Sequence, residues 1–486
     1  MILRPPPKPK ANDKLFALEV LARLPLAEAF YSSWAFVATD PVLAELFERH
    51  RGRCYQDQLS FAELVGVLAD AITRYQGSGN AALGKALQRQ QLSTQARAVY
   101  GKLARLPLPL AEAFLAVLSA RLRQLFPPGL FRTELPACLA GLTVVVLDGK
   151  TIKKVAKRLL ATRGRPGKLH GGKLLVAYLP GEGLAVAMAA DPDGEANDIR
   201  LMPRVMPLAR QAVAGLRLWV VDSQFCDLDQ TARFCQDDDH FLVRFTKRNS
   251  FAVDPERPAR TGVNARGQAF RQDWGWMGAA TDERRRYVRR LTVERPGEDD
   301  VVVVTDLLEE HEYPAVDLLS VDLTRWQIET VFQQITEVFA LNHLMGCTPQ
   351  ATVFQASLCL VIYNLLQVLR GYAALSRRVK VETLSAEKIF RDLHEQLVSV
   401  HTVLKVEELL PCLEGQPATA EQVKRQLKEL LGRAWSDRWQ KAKKKKPAPP
   451  QPKAKQSGAH TSVHKVLQQA KQAKREMAKA TPQCNR

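Results

Sequence analysis

The chain has 486 residues, enough to bury a large core and to form two to four domains. Its formal net charge of +19 and isoelectric point near 9.6 favour a polyanionic partner, nucleic acid before an anionic membrane surface. No uninterrupted apolar run reaches the roughly 18 residues of a membrane span: residues 357–369 are broken by Tyr363, Asn364 and Gln367, and residues 1–10 have neither the hydrophobic segment nor the cleavage site of a signal peptide. A soluble cytoplasmic protein with no membrane partner is the expectation. Eight cysteines form no CxxC pair, which argues for reduced, mostly buried thiols and against a structural zinc site. His460 and His464 have a ligand-like spacing, but in a polar tail without cysteines it reads as coincidence.

Taken in order, residues 1–13 are rich in Pro and Lys and read as a loose N-terminus. Residues 14–135 read as a helical domain, with apolar residues at helical spacing over 15–24, 41–49, 61–75, 94–106 and 110–126. Asp40, Ser60 and Ser93 stand where N-caps belong. No recognition-helix signature is present, so this bundle could touch DNA or be purely structural. At Leu142 the texture changes to β-branched runs. Residues 142–148, 174–179, 184–189, 216–222 and 240–245 read as strands, with helical patterns over 198–214 and 229–235. That alternation is an α/β order. Between about 246 and 300 the chain becomes Arg-rich and irregular, with strands over 268–277 and 285–294, which reads as a β-rich insertion. The strand pattern returns at 301–306.

Residues 323–339 then read as one helix with an apolar stripe of Ile328, Val331, Phe332, Ile335, Val338 and Phe339. Arg325 and Glu329 share a face beside it, and an intrahelical ion pair explains them most simply. Residues 352–372 form a strongly apolar helix, and 381–439 a C-terminal helical region. The tail, 440–486, is basic: from Lys441 onward thirteen Lys and Arg stand against one acid, Glu476. It reads as largely disordered, with a short basic helix over 462–479, and serves equally well as a solvated tail or a phosphate-binding arm.

Three acids carry the chemistry this order suggests. Asp148 and Asp222 each end an apolar strand, at the edge of an open α/β sheet where sites form. Glu329 joins them from a helix. Phosphoryl transfer on DNA commonly uses two Mg²⁺ ions about 4 Å apart, one at the attacking and one at the leaving oxygen. Such hard cations want oxygen ligands, and an acid cluster without competing Cys or His suits them. Spacing alone does not single out these three, since Asp191, Asp198 and Asp306 also flank strands or helices.

The local sequences do. Val-Leu-Asp148-Gly-Lys-Thr, Val-Val-Asp222-Ser-Gln-Phe and Arg325-Trp-Gln-Ile-Glu329 together resemble the DDE transposases of bacterial insertion sequences, most nearly the insertion sequence 4 family, over about 142–369. The resemblance implies a ribonuclease-H-like mixed-sheet catalytic core (136–380) interrupted by the β-rich insertion at about 246–300. It implies Asp148, Asp222 and Glu329 as catalytic residues and ligands of two Mg²⁺ or Mn²⁺ ions. It further implies cut-and-paste movement of a mobile element, with double-stranded DNA as partner, both as terminal inverted repeats and as target, a homodimer to pair two ends, and a nucleoid location. Two rivals share the core: a metal-dependent nuclease without strand transfer, and a catalytically idle DNA-binding derivative. The family signature near the last acid has a Tyr where Asp322 stands and a Lys where Thr336 stands. Gln224 occupies a position that is usually small. The missing Lys would weaken the grip on a DNA end, for which Lys150, Lys153 and Lys154 could compensate. Arg325 is a candidate phosphate contact. Trp274, in the insertion, is a candidate for stacking on a flipped base, although a Trp in a small β domain is more often core, as is Trp276. His170 could approach a phosphate or simply end a loop.

Overall fold

The β-branched runs after Leu142 assemble into one ten-stranded sheet. A computed structural model describes residues 11–442 and 460–480, apart from 56–57, 90–91, 93, 128, 131–132, 265, 296, 344 and 405–418. Of the loose N-terminus expected over 1–13, residues 1–10 lie outside the described residues, as do the N-cap expected at Ser93 and the Lys-rich run 443–459, whereas residues 11–13 are helical rather than loose.

The strands are β1 (Leu142–Thr151), β2 (Lys168–His170), β3 (Lys173–Leu179), β4 (Leu184–Asp191), β5 (Leu216–Val221), β6 (His240–Arg244), β7 (Phe251–Val253), β8 (Arg260–Val263), β9 (Ala269–Met277), β10 (Arg286–Val293), β11 (Val301–Thr305) and β12 (His460–Ser462). Seven helices precede them: α1 (Ala11–Ala22), α2 (Pro25–Val37), α3 (Asp40–His50), α4 (Phe61–Thr73), α5 (Gly79–Gln88), α6 (Ala96–Leu103) and α7 (Leu108–Leu125). Within and after the sheet come α8 (Met202–Ala212), α9 (Leu228–Phe234), α10 (Ala315–Thr324), α11 (Trp326–Glu337), α12 (Pro349–Arg377), α13 (Ala386–Val403), α14 (Ala420–Arg433) and α15 (Val463–Ala480).

The sheet runs β4-β3-β1-β5-β6-β11-β10-β9-β7, with β8 on β9. The meander β4-β3-β1 is antiparallel, whereas β1, β5 and β6 are mutually parallel. This is the ribonuclease-H-like mixed sheet the resemblance implies. Insertion strands β7 to β10 do not form a sheet of their own. They extend the core sheet through β11, which pairs with β6 on one side and β10 on the other.

Both faces of the central strands are covered, which is why they read as continuous apolar runs. Val144 and Val146 point into the large helical core, while Val145 and Leu147 point to the side packed by Met202, Val205 and Met206 of α8. The N-terminal helices belong to the same core as the sheet's first face and α10 to α14. Ser60 caps α4 with a complete capping box to Glu63. The cap of α3 is Thr39 rather than Asp40, which occupies the first turn.

Helix α12 is the hub of this core. By length and composition it could cross a membrane, yet its whole apolar window is buried inside the fold. Its polar residues seal the outer strand β4. The Asn364 Oδ1 accepts from the Ala185 amide at 2.9 Å, and its Nδ2 donates to the Ala185 carbonyl at 2.6 Å and to Ser119 Oγ at 2.8 Å. Glu112 of α7 accepts from the Ala190 amide at 2.8 Å. An edge strand that would otherwise offer unpaired backbone groups is thereby closed. Replacing Asn364 by Ala should leave both Ala185 groups unpaired and cost about 2 kcal/mol, read as a lower urea midpoint with an unchanged slope.

Candidate active site

Two neighbouring parallel strands bring the first two acids to one edge. The β1–β5 ladder ends at the pair Val146–Val220, and Asp148 and Asp222 each stand two residues further on. Asp222 follows the last residue of β5, as expected of a strand end. Asp148 does not end its strand: β1 continues to Thr151 because β3 pairs with it as far as Lys173. Its Oδ1 accepts from the Gly149 amide at 2.8 Å.

The helix expected over 323–339 is in fact two, α10 and α11, which meet at Arg325. The apolar stripe is present, with Ile328, Val331, Phe332 and Ile335 buried against the core, and it leaves Glu329 exposed towards the strand edge. Arg325 is buried (4 % exposed), and its guanidinium lies 3.6 Å from Glu329, so the intrahelical pair exists. It also lies over the Trp326 ring at 5.3 Å.

Asp148 feels this neighbourhood. Burial pushes its carboxyl up to about 6; the Gly149 amide and the Arg325 charge pull it back, while Glu329 and Asp198 push it further. Glu329 and Asp222 both act on Arg244 of β6. There burial opposes the guanidinium's charge, but the hydrogen bond and charge of Asp322, with Asp222 and Glu329 behind it, raise its pKa overall. The charges of Arg325 and Glu329 thus reach Asp148, and those of Asp222 and Glu329 reach Arg244. Among the described residues, the three acids do not form a set whose ligating oxygens all lie within 4.8 Å of one another.

Asp322, the residue in place of the family's Tyr, is 3 % exposed and grips Arg244 through its Nε (3.2 Å) and Nη2 (2.9 Å). This fork was not foreseeable, because its two halves are 78 residues apart. Asp198 is a second residue that spacing alone did not single out. It is buried, pairs with Lys173 at 2.9 Å and accepts from Gln224 Nε2 at 2.9 Å. A Cβ on Gly149 would come within 2.2 Å of its Oδ2, so the residue after Asp148 has to be glycine while Asp198 is held there. The other two rivals are structural. Asp306 accepts from His240 Nδ1 (2.8 Å) and the Phe241 amide (2.9 Å), and Asp191 accepts from the Asp193 amide within a turn.

Among the proposed DNA contacts, Lys150 is half-buried. Its Nζ reaches the Phe332 carbonyl at 3.4 Å, the same carbonyl that accepts the Thr336 hydroxyl at 2.6 Å. A lysine charge carried by β1 thus stands at the carbonyl one helical turn before position 336. Burial lowers the Lys150 pKa, Lys153 lowers it further, and Asp148 and Glu337 hold it up. Lys153 and Lys154 are exposed. Trp274 departs from its expected role. It is 1 % exposed, its indole donates to the Leu308 carbonyl at 3.0 Å, and Arg257 and Arg289 lie over its ring at 4.3 and 5.6 Å. A ring so covered has no face to offer a base, and it is core. Trp276 is 38 % exposed, with Arg285 over its ring at 4.6 Å and Tyr287 edge-on at 5.3 Å. His170 ends no loop: it is the last residue of β2, opposite Ser462 of β12, and is buried.

Residues 139–365, just under half of the chain, match the family described as the transposase DDE domain. That region is similar to the DDE domain of transposases, and the three acids and Arg244 all fall inside it. Among solved structures, a cryo-EM structure of the piggyBac transposase synaptic complex with hairpin DNA is similar at a TM-score of 0.40 and 10 % identity, over 84 % of this chain and 87 % of that one. No curated protein matches the chain.

The raised carboxyl of Asp148 gives a pH signature. Folded protein holds that proton more tightly than unfolded chain, whose value is near 3.8, so this group costs stability as pH rises from about 4 to about 6. Without divalent cations, Asp148→Asn should therefore melt above the wild type at pH 7 and with it near pH 4, by differential scanning calorimetry.

Proposed function

We propose that the protein is a DNA transposase of the insertion sequence 4 kind, and that Asp148, Asp222 and Glu329 are its catalytic acids. What supports this reading is the DDE domain match, which spans the two adjacent parallel strands and the helix that carry the three acids, with the charge of Glu329 acting on Asp148 and the charges of Asp222 and Glu329 on Arg244. The domain layout follows: residues 136–380 as catalytic region, 14–135 and parts of 381–439 as recognition surfaces for terminal inverted repeats, and 440–486 as a basic arm.

The donor set fits two Mg²⁺ or Mn²⁺ ions. It offers only carboxylate oxygens, and burial with two neighbouring acids leaves Asp148 with negative charge that a cation would relieve. When bound, the ions would supply Lewis acidity to hydrolysis at the element end and to transfer of the freed 3′-OH into target DNA. The chain's own residues do the rest. Arg325 and Arg244 supply fixed positive charge for phosphate oxygens, and Asp322 holds the Arg244 fork in its plane. Lys150 takes the phosphate-contact role of the absent Lys at 336. Gln224 steadies Asp198 beneath Gly149 and so fixes the Asp148 backbone. Pairing two ends would engage a homodimer.

The test is a reaction of the full chain with DNA carrying the element ends and target plasmid, in Mg²⁺ or Mn²⁺. Cleaved and joined products are expected, with Asp222→Ala or Glu329→Gln lowering both by about a thousandfold or more. Cleavage without joining would favour a nuclease, and end binding without cleavage an idle derivative. Lys150→Met should weaken DNA binding and reduce the slope of log affinity against log salt by about one, measured by fluorescence anisotropy.

A further inference from the structure

The C-terminal arm is fastened to the catalytic region at one spot. Strand β12 pairs in parallel with β2, Ser462 opposite His170. The Ser462 amide donates to Glu195 Oε1 at 3.1 Å, its hydroxyl accepts from the Gly194 amide at 3.2 Å, and Lys465 of α15 pairs with Glu195 Oε2 at 2.5 Å. Val463 and Val466 of α15 are fully buried at the same place. Gly194 is pressed so closely on His170 that a Cβ there would come within 2.5 Å of the His170 Cβ.

In the middle of this junction stand two histidines and a carboxylate. His170 and His460 stack at 4.7 Å with an angle of 19°, and a ligand atom from each lies within 4.8 Å of the others and of a Glu195 oxygen. His170 is 9 % exposed, and its Nδ1 is buried without a hydrogen-bond partner. Such an orphaned ring nitrogen is costly unless something binds it.

We infer that His170, His460 and Glu195 form a transition-metal site, of the zinc class, that rivets the basic arm to the catalytic region. Two imidazoles and a carboxylate are a common three-ligand set for Zn²⁺, with water in the fourth position. Imidazole ligands select Zn²⁺, Co²⁺ or Ni²⁺ over Mg²⁺, so the site is chemically separate from the proposed oxygen-only acids. His460 and Glu195 are exposed and can turn: closure draws His460 off the stack and exchanges the Lys465 charge on Glu195 for the ion. The histidine spacing that mattered is not 460 to 464 but 170 to 460, across the β2–β12 pair. With the ion in place, α15 and its exposed Lys471, Lys474 and Arg475 are held at a fixed position beside the loop that carries Lys153 and Lys154.

The experiment titrates full-length protein, in excess Mg²⁺, with Zn²⁺ by calorimetry and with Co²⁺ by visible absorption. One Zn²⁺ per chain and the absorption of four-coordinate Co²⁺ are expected. His460→Ala and Glu195→Gln, both at exposed positions, should each weaken Zn²⁺ binding at least tenfold, and His460→Cys should restore it. Zn²⁺ should slow tryptic cleavage within α15 in the wild type but not in His460→Ala. Asp148→Asn should bind Zn²⁺ as the wild type does, so the outcome is independent of the transposase reading. No Zn²⁺ binding in excess Mg²⁺, or equal affinity in the wild type and His460→Ala, overturns the inference.

Discussion

The arrangement rests on burying a helix that is apolar on every side. Helix α12 has one flank on β4 and α7 and the others on α2, α13 and α14, so it cannot be solvated anywhere along its apolar window. Every surrounding element is fixed by the need to cover it. Its few polar groups are placed where they meet partners: Asn364 on β4, Ser357 on the Ala111 carbonyl, Arg370 on the Val381 carbonyl. The price of this closure is that the N-terminal helices, the sheet and the C-terminal helices share one interior.

On that rigid base the sheet edge concentrates charge. Asp322 is paired there with Arg244, while Asp148 remains under-compensated. Arg244 is committed to Asp322 yet still faces Asp222 and Glu329, and Arg325 reaches Glu329 only at 3.6 Å. Elsewhere in the fold, buried acids are fully engaged. Asp239 accepts from Arg210, Arg217 and the Trp219 indole at 3.0 Å each and has nothing left to offer a ligand. The difference between a saturated acid and an under-compensated one distinguishes scaffold from site more sharply than spacing does.

Much of the fold was legible in the sequence for a physical reason. A sheet covered on both faces forces unbroken apolar strands, so β3 to β6 and β9 to β11 could be read within a residue or two, and β1 all but its last three residues. The stripe of α11 was equally plain. The break at Arg325 was not, because apolar residues keep helical spacing across it. The Arg244–Asp322 fork, the burial of Trp274 under Arg257 and Arg289, and the meeting of His170 with His460 depend on contacts between residues far apart in the chain. Local pattern carries no trace of such contacts. Asp148, Asp222 and Glu329 were singled out by their flanking motifs; spacing alone could not separate them from Asp198 and Asp306.

The inserted strands have a mechanical implication. From β7 to β6 the hydrogen-bonded ladder is uninterrupted, and β6 ends at Arg244 beside the acids. No hinge can lie between the insertion and the acidic edge without tearing several ladder bonds, so the two behave as a single plate. If a duplex spans both, the protein cannot swing an arm to meet it, and the deformation has to be taken up by the nucleic acid.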